Sequence, residues 1–434
     1  MPYITIRWKF IFTVLISTAW MLLSIGLSIP WYEQLSDHTS PAIAAFLIGF
    51  IAIIPGFMNA FIMVALAFDK RPAVPKHSHY PSVTVLVAAY NEAASIEDTV
   101  RSLMRQTYPG ELHVTVINDG SVDNTANIVK SLLPEFSNLS LIDLTQNGGK
   151  ANALNQGLAA CTSEFVITVD ADCWIWKHGI QNLVGRRLAD PPNTRAVAGA
   201  ILIRNSRDNW LTKAQEWDYF LGIAAIKRIQ SLFQGTLVAQ GAFSLYDRST
   251  LIEVGGWPHT VGEDIVLTWK ILRAGYRVGH AENAIALTRC PDNLTQFIRQ
   301  RQRWSRGLIE AFKMTPDLLL QRRMPVFYIW WNTLFPFMDL AYTLGFIPGL
   351  VLAMFGHFWI VGPMTLALLP ISFLMNSLMY ARSKKTFDEV GLKVRRNRLG
   401  LLSYALVYSI ILQPACVWGY ISEILNLRKT WGTK

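Results

Sequence analysis

Asp170 and Asp172 follow directly on the apolar run Phe165-Val166-Ile167-Thr168-Val169. Carboxylates two apart at the end of a buried strand can divide their work. One would hold a nucleotide-linked substrate, and the other, Asp172, a hard divalent cation, Mg²⁺ or Mn²⁺, that neutralises a departing diphosphate. Upstream, Asn147-Gly148-Gly149-Lys150 precedes a helical run and offers a lysine and free backbone amides to an anion. Downstream, Gly262-Glu263-Asp264 opens a second helical run, where Asp264 is the candidate general base with Glu263 beside it. Gln300-Arg301-Gln302-Arg303-Trp304 lies on a strongly basic helical stretch, 294–312, that would also suit a membrane surface. Each group alone has a plain reading as a turn, a cap, a solvated lysine or an acidic helix start.

The elements that must position these residues are legible over 81–292. Short β-branched runs at 83–89, 114–118, 141–144 and 165–169 alternate with amphipathic stretches, the grammar of an α/β domain with a largely parallel sheet. Ligands bind beyond the carboxyl ends of such strands. The first strand ends in Ala88-Ala89-Tyr90-Asn91-Glu92 and the second in Asn118-Asp119-Gly120-Ser121, so Tyr90, Glu92 and Asp119 fall at that edge, where a base and ribose would sit.

Composition sets the wider frame. Of 434 residues, 51% are hydrophobic and only 16% charged, which is too apolar for an ordinary soluble chain of this length. Residues 10–32 and 41–68 hold no charge, and each exceeds the roughly 20 residues that cross a bilayer core. Arg7, Lys9, Lys70 and Arg71 flank this pair while its connecting loop lacks Lys and Arg, so both ends of the hairpin are expected to be cytoplasmic. Further apolar runs at 338–356, 357–380 and 399–425 suggest about three more crossings, with the basic segment 382–398 cytoplasmic. The division is therefore 1–75, two membrane helices; 76–292, a cytoplasmic α/β domain; 293–336, interfacial helices; and 337–434, the C-terminal helices. Asp339, inside an apolar run, reads either as a pathway residue or as part of the interfacial layer. The net charge of +10 gathers beside the membrane and in the Gln-Arg-rich stretch, and no nucleic-acid module accompanies it. The four cysteines show no CxxC spacing, so neither a zinc site nor a disulfide framework is indicated.

Together these motifs resemble the processive family-2 membrane glycosyltransferases, the cellulose, chitin and hyaluronan synthases, and most nearly the bacterial poly-β-1,6-N-acetylglucosamine synthases. The pattern of Asp, Asp-x-Asp, an acidic pair and Gln-x-x-Arg-Trp is met by Asp119, Asp170 with Asp172, Glu263-Asp264, and Gln300, Arg303 and Trp304. Ile226-Lys227-Arg228-Ile229-Gln230 and Gln240-Gly241-Ala242-Phe243 look like the poly-N-acetylglucosamine branch, whereas Gly262 stands where that branch is expected to carry Thr. The resemblance implies a GT-A, Rossmann-like domain set between membrane helices of a multi-pass protein in the cell (inner) membrane. It implies a UDP-sugar donor, most readily UDP-N-acetylglucosamine, a growing polysaccharide acceptor, contact with lipid and room for a small membrane partner subunit. By the same likeness Asp119 contacts the nucleotide, Asp172 the metal, Asp264 is the base, Trp304 flanks the acceptor sugar, and Gln300 and Arg303 hold the diphosphate. Three other readings use the same residues: another β-glycan synthase making chitin oligosaccharide, hyaluronan or glucan, a non-processive transferase acting on a lipid acceptor, and a non-catalytic membrane scaffold or polymer channel.

Overall fold

The computed structural model describes residues 4–70, 74, 77–362 and 364–428. The expected domain boundary at 75–76 and the basic tail beyond 428 lie outside them. An eight-stranded sheet forms the centre, in the order β3-β2-β1-β4-β7-β6-β8-β5. Its strands are β1 Val83–Ala89, β2 Leu112–Asp119, β3 Leu139–Leu144, β4 Phe165–Val169, β5 Trp174–Ile175, β6 Thr194–Ile203, β7 Phe243–Asp247 and β8 Arg277–Thr288. β1 shows why the middle of the sheet reads as unbroken apolar sequence. Val83, Val85 and Val87 face one buried cluster with Ile96 and Val100, and Leu86 faces another with Leu154 and Leu158. Helices therefore cover both faces.

Register fixes where the chemistry falls. Ala89 is level with Asn118 and Leu86 with Thr168, so the carboxyl ends of β1, β2 and β4 open on one edge. β7 runs antiparallel to β4 and pairs Phe243 with Val169, which brings Gly241 and Ala242 to that edge from the opposite direction. The sheet is thus parallel from β3 to β4 and mixed beyond.

Four helices among the described residues are long and apolar enough to cross a membrane: Ile6–His38, Pro41–Phe68, Met324–Met354 and Arg398–Ile424. The run expected to divide near Pro336 is helical through Met324–Met354, with Pro336 placed at the start of the Phe335–Ala341 segment after a short turn. Of the expected span 357–380, residues 364–380 fall on the helix Met364–Glu389, part of which lies outside the described side chains, whereas 357–362 are not helical. The apolar helices share a core with the sheet domain. Phe61 packs on Phe10, Phe233 and Phe327 with ring centroids 6.1, 5.8 and 5.0 Å apart, inside the cluster that also holds Leu86.

Candidate active site

The turns after β1 and β2 are clasped. Asn91 adopts φ 56°, in the left-handed region that Asn tolerates. Its backbone N–H donates to Ser121 Oγ at 2.9 Å, and its side-chain oxygen accepts from the Val122 N–H at 2.9 Å. The Glu92 N–H donates to Thr125 Oγ1 at 2.8 Å, and Ser95 donates to its carboxylate at 2.8 Å. Tyr90 and Glu92 are thereby held on the same edge as Asp119.

Asp119 is buried, and its two carboxylate oxygens accept from the consecutive amides of Gly148 and Gly149 at 2.9 and 2.8 Å. Gly149 sits at φ 85°, a conformation that suits glycine and turns the chain into the helix Lys150–Ala160. The polar end of β2 thus fixes the loop that delivers Lys150. The Lys150 ammonium donates to Asp170 Oδ1 at 2.5 Å and lies 3.2 Å from Glu263 Oε1. Burial opposes its charge, but Asp170, Glu263 and Asp264 more than compensate and hold it protonated. Gly241 makes room for it: a Cβ there would stand 2.5 Å from the ammonium nitrogen.

Beside this lysine the acids converge. Asp172 is pushed up to about 6 by burial and by repulsion from Asp170 and Glu92, with hydrogen bonds from Cys173 and Thr288 opposing. The ligand atoms of Asp170, Asp172 and Cys173 all lie within 4.8 Å of one another, a spacing that could hold a metal ion. The buried Cys173 thiol donates to Asp172 Oδ1 at 3.6 Å, and the two carboxylates are the oxygen donors of the set, the kind that suits a hard cation. Across the edge, Asp264 Oδ1 accepts from the Ile265 N–H at 2.7 Å and Oδ2 from the Gly241 N–H at 3.3 Å. Each oxygen keeps a further lone pair for a substrate proton. Glu263 is buried, its carboxyl raised by burial and by Asp264 and lowered by Lys150 and Arg303.

The last predicted group sits on the helix Leu294–Met314. Gln300 is buried, with its side-chain oxygen unbonded among the described residues; Arg303 is half-buried near Glu263; Trp304 is 39% exposed. Glycine sets the separation between this helix and Glu263–Arg273. A Cβ at Gly262 would meet Gly307 Cα at 2.5 Å, and one at Gly307 would meet Gly262 Cα at 2.8 Å. Glu310 accepts from the Gly262 N–H at 2.9 Å. Gly262 is therefore the residue this contact requires. We expect Gly307→Ala to destabilise the protein by about 1–3 kcal/mol, because the clash is with backbone and outweighs the gain in helix propensity of roughly 1 kcal/mol. A thermal midpoint at or above wild type in detergent would contradict this.

Residues 84–255 match the family described as Glycosyl transferase family 2. That match runs through the sheet from β1 to β7. Over 270 residues it is 32% identical to poly-beta-1,6-N-acetyl-D-glucosamine synthase of Staphylococcus aureus strain COL, covering 59% of this chain and 64% of that protein. Over 256 residues it is 34% identical to the synthase of the same name from Staphylococcus epidermidis, covering 58% and 61%. The match thus spans less than two thirds of these relatives. In fold, the chain is similar to the mannosyltransferase PcManGT from Pyrobaculum calidifontis, solved in complex with GDP-Man and Mn²⁺, with a TM-score of 0.60 at 20% identity over 89% of this chain and 100% of that one. The sheet and its flanking helices are the GT-A, Rossmann-like fold expected from the sequence.

Three buried residues beside the candidate site owe their setting to the fold. Glu310 caps Gly262 from 48 residues away. Lys227 is buried, its amine brought down to about 7 by burial against the opposing pull of Asp264. Arg301, inside the Gln-x-x-Arg-Trp stretch but outside its defining positions, is also buried. Lys227 and Arg301 fall within stretches quoted from the sequence, but only the fold shows that each is buried.

Proposed function

We propose that this chain is a processive, inverting glycosyltransferase that extends a β-linked poly-N-acetylglucosamine from UDP-N-acetylglucosamine and passes the polymer toward its membrane helices. The observation that carries the reading is the meeting of Asp170, Asp172, Lys150, Glu263 and Asp264 on one sheet edge, with the helix bearing Gln300, Arg303 and Trp304 packed against the Glu263–Arg273 helix. The named synthases of the two staphylococci support this product, and the apolar helices on both sides of the domain support a membrane setting. The family 2 domain would face the cytoplasm, where nucleotide sugars are made, in a cell (inner) membrane protein. The polymer would belong to a biofilm matrix.

In the reaction, an acceptor hydroxyl oxygen attacks the anomeric carbon of the donor sugar. The bond to UDP breaks with its electron pair leaving on the diphosphate, and Asp264 takes the hydroxyl proton. Asp172 and Asp170 would hold Mg²⁺ or Mn²⁺, which neutralises charge on the diphosphate. Lys150 steadies Asp170 and Glu263 as a fixed counter-charge. Tyr90, Glu92 and Asp119 would line or position the nucleotide pocket, Gln300 and Arg303 would hold the diphosphate, and the exposed face of Trp304 offers a surface for the acceptor sugar. Membranes supplied in parallel with labelled UDP-N-acetylglucosamine and UDP-glucose should make long product from the first only. Long product from UDP-glucose alone would reassign the donor, and a single sugar on a lipid would favour the non-processive reading.

A further inference from the structure

Arg301 is 4% exposed, yet neither Nε nor Nη2 has a hydrogen-bond partner among the described residues. Its guanidinium is held instead by rings and one charge. The carbon at its centre lies 4.1 Å from the Trp304 ring centroid, 5.0 Å from Phe297, 5.8 Å from Tyr408 and 6.0 Å from Tyr219. Nη1 pairs with Asp218 at 2.8 Å, and the Tyr408 hydroxyl donates to the same carboxylate oxygen at 2.9 Å. A planar cation between aromatic faces orients those faces as well as itself, which an ammonium on a flexible stem does less well.

The partners come from three separate pieces of chain. Trp304 belongs to the helix Leu294–Met314, Asp218 opens the π-helical turn Asp218–Ala225 in the family 2 domain, and Tyr408 closes another, Tyr404–Tyr408, within the last apolar helix. Such turns cost regular helix geometry and concentrate at functional positions. Here both present a side chain to one guanidinium. A buried ion pair is weak evidence of stabilisation, because desolvation offsets the attraction. The arrangement is better explained by what it orients.

We propose that Arg301 is a positioning residue that fixes the ring of Trp304 at the acceptor end of the site and ties it to the last membrane helix, thereby setting how far the product grows. This rests on the polymer-synthase reading above. Donor binding is served by other residues, so the two properties separate on substitution.

The test uses the full chain in membranes with labelled UDP-N-acetylglucosamine, reading donor affinity, UDP release and product length together for wild type, Arg301→Lys and Tyr408→Phe. Arg301→Lys keeps a positive charge and loses the planar stack. It should shorten the product roughly tenfold, because an ammonium keeps part of the attraction to the rings but not the planar stack that orients them, with donor affinity nearly unchanged. Tyr408→Phe keeps the ring, loses the hydroxyl bond to Asp218, and should shorten the product less. Equal product lengths in wild type and Arg301→Lys, or a matching loss of donor affinity, would overturn the proposal. Should Arg301→Lys fail to fold, Tyr408→Phe decides: shorter product with intact donor binding supports it, and unchanged length overturns it. A wild-type chain that adds one sugar and stops would overturn the polymer reading first, and the length effect with it.

Discussion

Asp264→Asn is expected to lower sugar transfer by about 10²- to 10⁴-fold, the range for removing a positioned general base, while donor affinity stays close to wild type. Asp264 opens its helix, and its carboxylate is oriented by the Ile265 and Gly241 amides, at 2.7 and 3.3 Å. Asn retains one acceptor oxygen and puts an amide in place of the other, so it keeps the side chain's volume and removes its basicity. Rate and affinity should be measured separately, as UDP release under saturating donor and as calorimetric binding of UDP. A collapse of UDP affinity in step with the rate would move Asp264 into the donor pocket and leave the base unassigned.

The second large effect concerns Asp172. Asp172→Asn should reduce transfer by several kcal/mol of barrier, roughly 10³-fold or more, and excess chelator should do the same to wild type. What separates this from a folding defect is the local electrostatics. Burial and the neighbouring Asp170 and Glu92 already raise Asp172 to about 6, so a neutral amide relieves repulsion. The variant's thermal midpoint should therefore equal or exceed that of wild type as activity is lost. Full turnover in excess chelator would rule out the cation, and a large drop in midpoint would make Asp172 a structural residue.

The strands that carry the candidate site were visible because they are β-branched and end in polar turns. β1 and β4 have the expected bounds, and β2 and β3 extend the expected runs by a residue or two. β6 is harder to see, since Ala198-Gly199-Ala200 places small residues where Phe243 packs, and β8 is interrupted by His280, Glu282 and Asn283. Distance in sequence hid the rest. Asp218, Arg301 and Tyr408 meet across separations of more than 80 residues, and no local periodicity encodes the meeting. Asp119 illustrates the same limit at short range. Its place at a strand end was plain, but its bond to both Gly148 and Gly149 depends on how the next loop folds back.

The glycine contacts of the Leu294–Met314 helix have a mechanical consequence. On one side Gly307 meets Gly262 backbone to backbone; on the other, Gly419 of the last apolar helix lies directly against Gln302 and Ser305. Side chains yield by changing rotamer, whereas touching backbones have little compliance. The helix is therefore a stiff strut gripped at both flanks, with Trp304 beside one grip and Asp264 just beyond the other. A small axial displacement of the last helix would reach the Trp304 ring with little loss of amplitude.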